Sequence, residues 1–366
     1  MAKGTSRYHT WEYLRPRVGD ISHVISARPV SLTDGPSLGT RAIEVNVFGG
    51  ITALILIDRG MDIGPAYFKG VPLHWTSSTG IRHPGFFQDH DWLRSFQGGL
   101  MITAGLRNVG PGFTQDDEVQ PLHGRISNTP AFEVSHVTEV DSDGIPTLTV
   151  SGKIRETSVF GCNLILTRNY KFKVGSPVII LTDKIVNEGF SKVETLVLYH
   201  FNLGFPVISD NSELLVDSDR VESRENLSGD LEKLARRFIE PEKGADAQVF
   251  EHFFDASSDL RCMGVWNPSI SGGDEGIGLA IRYRAGVLSH LWQWRMMGEG
   301  MYLTGIEPSN CGILGRLNNS TAGTILEPKE SLETQIEIIA FNSKEELSLS
   351  KPFTKEAFFG VGENDR

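Results

Sequence analysis

The sequence predicts an all-β protein: one large β-sandwich domain of mainly antiparallel strands with a few short helices. Three observations point there. Gly (39) and Pro (17) punctuate a chain of 366 residues, and breakers at that density keep the periodic segments short. Most of those segments alternate apolar and polar residues, the pattern of sheets with one face on a core. The content of 39% hydrophobic and 22% charged residues is that of an ordinary globular chain able to bury a sizeable core.

The elements follow in order. Residues 42–47 and 53–57 read as a hairpin about Gly49-Gly50. Gly60 and Gly64 then bracket a turn that presents Arg59 and Asp62, and 71–75 is a short strand. Segment 85–96 breaks the pattern. Phe86, Phe87, Trp92, Leu93 and Phe96 fall at helical spacing, with Asp89 and Asp91 early. A short helix laid over the sheet is expected there, ended by Gly98-Gly99. The loop 109–120 carries Gly110-Pro-Gly112 and Asp116-Asp-Glu118 and reads as surface.

A meander comes next, with strands at 132–140, 147–154, 163–172 and 177–186. Asp141-Ser-Asp-Gly144 and Lys173-Val-Gly-Ser176 are its turns. A strand over 193–199 then ends at His200. Segment 217–244 is charged, with Leu231, Leu234, Ala235 and Phe238 at helical spacing and Ser228 and Asp230 as candidate caps. It reads as a helix-bearing insertion packed on the sheet, too short to bury a core of its own. Strands resume at 248–253, 261–266, 278–284, 290–296, 302–306 and 331–341, with a turn at Ser271-Gly-Gly-Asp274 and a peripheral tail after Asn342.

The net charge of −11 argues against nucleic acid and anionic membranes as partners. Three scattered cysteines make no disulfide framework, and a reducing cytoplasm is the expected setting. The N-terminus shows no apolar signal core, and no apolar run is long enough to cross a bilayer. The sequence holds no dinucleotide fingerprint opening a helix, no P-loop, no H-E-x-x-H and no G-x-S-x-G, so nucleotide cofactors and serine-hydrolase chemistry are not expected.

Three residues stand out. Pro308 should stop the strand just after Glu307, leaving a carboxylate at a strand end. His123 and His200 each close an apolar stretch among small or turn-forming residues. Taken singly, each reads equally as a solvated or core-satisfied side chain. A metal site from His74, His123 and His200 lacks the spacing that would put two ligands on one face.

Taken in order, Pro121-Leu-His-Gly-Arg125, Tyr199-His-Phe-Asn-Leu-Gly204 and Gly305-Ile-Glu-Pro-Ser-Asn310 resemble the signature regions of the aldose 1-epimerase (galactose mutarotase-like) superfamily, and Val265-Trp-Asn-Pro268 adds to the likeness. The chain carries Arg107-Asn108 where an Asn-Arg pair is expected, and the 217–244 insertion is extra, so it resembles a divergent branch. The resemblance implies a supersandwich of galactose mutarotase type and a small-molecule carbohydrate as partner, acted on by a monomer or homodimer. It implies a cofactor-free enzyme that interconverts sugar anomers by general acid–base ring opening and closure. Glu307 would be the base and His200 the acid, with His123 holding the substrate or polarising the ring oxygen. Arg59, Asp62, Arg107, Arg125 and Asn202 are candidates for sugar hydroxyls. Trp92, Trp266, Trp292 and Trp294 are candidates for stacking on a sugar face. Two other readings stand beside this one. One is a sugar-binding protein without turnover. The other is an isomerase or lyase on a sugar acid or sugar phosphate, which clustering of Arg59, Arg107 and Arg125 in the cleft would favour.

Overall fold

Two antiparallel sheets form the body of the molecule, a computed structural model that describes residues 7–88, 91–115, 118–225, 227–255, 259–270, 276–318 and 323–349. The first sheet has twelve strands. Its path runs from Ile25–Ser31 through Arg41–Val47, Ile51–Leu56, Asp62–Phe68 and Met101–Leu106 to Val193–Gly204 at its centre. It continues through Met301–Ser309, His290–Gly298 and Gln248–Phe253 to Arg220–Ser223. The second sheet has eight strands, from Phe132–Val140 through Pro146–Thr157, Asn163–Lys173, Val178–Asn187, Ser331–Phe341, Ile277–Arg284 and Leu260–Asn267 to Glu213–Val216.

Alternation decides which side chains fill the space between the sheets. In Asn163–Lys173 every second residue is buried, and Leu164, Leu166, Tyr170 and Phe172 join the main core. From the first sheet, Tyr199, Phe201 and Leu203 of the central strand enter the same core. Their neighbours His200 and Asn202 therefore point to the opposite face of that sheet. That outer face is roofed by aromatic residues of 75–96, so Val193–Gly204 is buried almost throughout.

Several expectations need correction. Segment 85–96 does not form an α-helix; it makes two short 3₁₀ turns, Pro84–Phe86 and Trp92–Ser95, and Asp89 lies outside the described residues. Pro308 does not end its strand, which runs from Met301 to Ser309. His290–Gly298 pairs with it along its whole length, Leu291 opposite Pro308. On the other edge the ladder to the central strand runs through Phe201↔Ile306 and resumes only at Leu198↔Ser309. Proline's missing N–H is thus accommodated by a local opening of one ladder. The central strand likewise runs on past His200 to Gly204.

The 217–244 segment carries a short helix, Leu231–Arg236, capped by Asp230, whose carboxylate accepts from the Lys233 N–H. Leu231, Leu234 and Ala235 pack with Val221 and Phe250. The segment also supplies the edge strand Arg220–Ser223. The Ser271–Asp274 turn, Asp116–Asp117 and the tail beyond residue 349 lie outside the described residues.

Candidate active site

The register of three neighbouring strands puts Glu307 and His200 side by side. Asn202 lies opposite Gly305, so two residues along, His200 comes opposite Glu307 and both share the outer face. The opened ladder beside Pro308 lies at this pair. His200 Nε2 and Glu307 Oε1 are 3.1 Å apart. Both side chains are deeply buried, His200 at 7% and Glu307 at 4% exposure. The contact lacks hydrogen-bond alignment, and Glu307 Oε1 and His200 Nδ1 are buried polar atoms without a hydrogen-bond partner among the described residues.

Gly305 makes room for the pair. A Cβ there would sit 2.6 Å from Glu307 Oε1 and 3.2 Å from His200 Cε1. The turn after Glu307 has a separate task. Asn310 accepts from the Val197 N–H at 2.8 Å and donates to the Thr195 carbonyl at 3.0 Å, tying the strand end to the central strand.

His123 comes to the site on a loop, and its backbone lies in the left-handed region at φ 57°. Such a conformation in a non-glycine residue needs outside support. Here the His123 N–H donates to the Gly110 carbonyl, and its own carbonyl accepts from the Gly105 N–H, each at 2.9 Å. Gly124 follows at φ 73°, where a Cβ would lie 2.1 Å from the Gly105 oxygen. His123 Nδ1 accepts a long bond from the Gly110 N–H at 3.4 Å. The neutral ring then carries its proton on Nε2, a donor left over for a ligand. The His123 and His200 rings lie 6.4 Å apart.

Aromatic rings enclose the three. Trp294 lies 5.4 Å from His200 and Phe96 5.6 Å, both edge-on. Trp92 stacks on Phe96 at 4.9 Å and stands 5.0 Å from His123. This low-dielectric wall governs protonation. Burial pushes the Glu307 carboxyl up to about 8, against a lowering influence of the Arg224 charge. Burial pushes His200 down to about 3, aided by the neighbouring His123. His123 falls to about 4, by burial first and by the Arg224 charge second.

Other expected contacts are not made, and the reasons are physical. Arg59 is 1% exposed, and its guanidinium is spent on the carbonyls of Ser127, Arg82 and Ser95. It ties down the Trp92–Ser95 turn and cannot reach a sugar. Asp62 is wholly buried between Thr103 and Arg168. Arg107 donates to the Glu194 carbonyl and to Glu118, and lines a separate surface cavity of about 840 Å³ with Arg316, Lys192, Phe160 and Phe190. Arg125 donates to the Val119 carbonyl, and its charge, like that of Arg107, acts on Glu156. The three arginines therefore do not cluster at Glu307.

Asn202 faces the site but is fully buried, its amide donating to the carbonyls of His200 and Gly99. It supports the floor through its amide N–H groups, and its Oδ1 is a buried acceptor without a hydrogen-bond partner among the described residues. Trp266 stacks on Phe341 in the other sheet, and Trp292 is buried with its Nε1 directed at the Cys311 carbonyl. Of the candidate platforms, Trp92 and Trp294 are at the site. Phe96, Gly305 and Arg224 went unassigned in the sequence. Phe96 stood in a segment read as sheet cover, and Arg224 in a segment read as insertion. His74 is engaged with the backbone of Ala66, and among the described residues no group of three His, Cys, Asp or Glu side chains has the arrangement of a metal site.

Comparison with known proteins follows the same lines. Among solved structures, the chain resembles a Klebsiella pneumoniae protein described as a candidate aldose 1-epimerase, with a TM-score of 0.78 and 19% identity over 93% of this chain and 88% of that one. It resembles a galactose mutarotase-like protein of Clostridium acetobutylicum with a TM-score of 0.60 and 16% identity, over 88% of this chain and 100% of that one. A galactose mutarotase related enzyme of Lactobacillus acidophilus gives 0.54 and 11%, over 87% and 98%. No curated protein matches the sequence. Residues 37–339 match the family model described as a domain of unknown function, DUF4432. The chain belongs to that family, and its fold is that of the solved aldose 1-epimerase-like and galactose mutarotase-like proteins it resembles.

Proposed function

We propose that this protein interconverts the anomers of a sugar by general acid–base catalysis at His200 and Glu307. The 3.1 Å approach of Nε2 to Oε1 at the floor of an aromatic-walled site carries this reading. Ring opening removes the proton from the C1 hydroxyl and delivers one to the ring oxygen. Glu307 takes the first and His200 gives the second. The pair begins the step as carboxylate and imidazolium and ends it as carboxylic acid and neutral imidazole. Both forms carry one proton in total, so the pair titrates as a unit.

Burial favours the neutral form, which is the form reached once the ring is open. The open aldehyde then rotates about C1–C2, and closure on the other carbonyl face returns both protons. The His123 Nε2–H serves as a fixed donor to a substrate oxygen, and Trp294 or Trp92 offers a flat face to the sugar. The chemistry calls on no cofactor, and the same reading takes the protein as a cytoplasmic monomer or homodimer.

Exchange NMR across a panel of free aldoses tests the proposal. Glu307→Gln should keep the fold and lower catalysed anomer exchange at least about 100-fold, the scale of a lost general base. An unchanged rate in that variant would remove Glu307 from the reaction. Saturable sugar binding without rate enhancement by the wild type would favour a binding protein.

A further inference from the structure

One cation reaches the site along the sheet. The rung that holds Asn202 and Gly305 continues to Trp294 and then to Val249. The Val249 carbonyl in turn accepts from the Arg224 N–H at 3.0 Å. Residues opposite one another on a rung share a face, so Arg224 stands on the side that carries Glu307, His200 and Trp294. Val249 and Trp294 join one outer-face cluster, whereas the insertion's helix packs on Phe250, on the other face.

The guanidinium is built in. Arg224 Nε donates to Glu225 Oε1 at 2.9 Å, and Nη2 lies 2.8 Å from the same oxygen. Glu225 is itself anchored by its other oxygen, which accepts from the Val249 N–H at 2.9 Å. One edge of the guanidinium is therefore clamped, and Nη1 has no partner among the described residues. The side chain is 45% exposed. From the Glu307 strand to Arg224 is three strand spacings, about 14 Å. The Arg224 charge is felt at both Glu307 and His123.

We infer that Arg224 is a specificity determinant that binds an anionic substituent, a carboxylate or a phosphate, at the end of the sugar remote from C1. A guanidinium with an open donor edge is the group suited to either anion. The inference rests on the epimerase reading of His200 and Glu307 and deepens it. It assigns the substrate class that Arg59, Arg107 and Arg125, engaged elsewhere, do not supply. It also gives the 217–244 segment a purpose beyond packing.

Two measurements test it. Anomer exchange is followed for neutral hexoses, hexuronates and hexose 6-phosphates with wild type, Arg224→Gln and Arg224→Lys. The wild type should favour one anionic class over neutral sugars by tenfold or more in kcat/KM, and that class identifies carboxylate or phosphate. Arg224→Gln should collapse the ratio, mainly through KM, and Arg224→Lys should restore part of it. The same ratio in wild type and Arg224→Gln would overturn the inference. Binding of hexuronates and hexose 6-phosphates to Glu307→Gln is measured in parallel by titration calorimetry. Saturable binding that disappears when Arg224→Gln is added supports the anion site even if no sugar is turned over. Absence of binding, or binding indifferent to Arg224, counts against it whatever the activity.

Discussion

Gly305 shows how tightly the site is built. Its φ is not in the left-handed region, so what it contributes is space: a methyl group would meet Glu307 Oε1 at 2.6 Å and the Trp294 Cβ at 3.1 Å. Gly305→Ala should therefore leave the sheet folded and displace the carboxylate. The expected cost is about 100-fold in kcat/KM, the scale of a small misplacement of a catalytic group. Exchange kinetics beside an unchanged circular dichroism spectrum would show it, and full activity would mean that the carboxylate relaxes without loss. Glu307 itself can be read without substrate. Its carboxyl is raised to about 8 in the fold from an unperturbed 4.5. The native state thus holds a proton that the unfolded chain has released, and stability falls as pH rises through that window. The buried histidines act with the opposite sign, but only below their unperturbed 6.5. Between pH 6.5 and 8 the Glu307 contribution stands apart from theirs, and at 1.36 kcal/mol per unit it comes to about 2 kcal/mol. Denaturant unfolding of wild type should weaken across that interval relative to Glu307→Gln. Parallel curves for the two proteins would mean that Glu307 is ionised at neutral pH.

At the scale of elements, legibility followed periodicity. The meander was readable because Asn163–Lys173 and its neighbours alternate cleanly, one side chain in the core and the next half out. Segment 85–96 misled because aromatic spacing alone cannot say what an aromatic residue faces. Trp92 and Phe96 line the site and pack with Trp75, Ile102 and Leu303, with no helix needed to bring them there. Pro308 misled for a different reason. A proline forfeits one ladder bond, and here the lost bond falls where the ladder to the central strand is already open. The carboxylate read as a strand-end group lies two residues short of the strand's end, but it is buried, and the shift of its pKa follows from that burial. The arginines failed as site residues because sequence order does not show which face a turn presents. Arg59 and Asp62 come from one turn, yet both point inward, toward backbone carbonyls and Arg168. Arg224 was hidden because its nearness to the site depends on pairings across four strands, and single-sequence patterns carry no register.

Across the whole molecule, the two sheets are joined by a buried polar centre that ends beside the site. Arg168, fully buried in the second sheet, donates to the carbonyl of Gly60, in a turn of the first sheet, at 2.9 Å and to Asp62 Oδ1, on the strand that follows that turn, at 2.8 Å. Its other edge engages Asp183 of its own sheet at 2.7 Å. Asp183 also accepts from the Tyr199 hydroxyl at 2.8 Å, and that hydroxyl lies 2.6 Å from Thr334 Oγ1. Tyr199 precedes His200, so one residue anchors the central strand inward and the next faces the site outward. A network of this kind is costly to break, because removing one partner leaves charges buried without compensation. Arg168→Met keeps the volume and strands both Asp62 and Asp183. It should lower the free energy of unfolding by about 3–5 kcal/mol, the cost of breaking a buried pair. Urea unfolding would show it as a lower midpoint at an unchanged slope. A loss below about 1 kcal/mol would mean that the two carboxyl groups take up protons and repack without the arginine, and that burial of apolar side chains alone sets the spacing of the sheets.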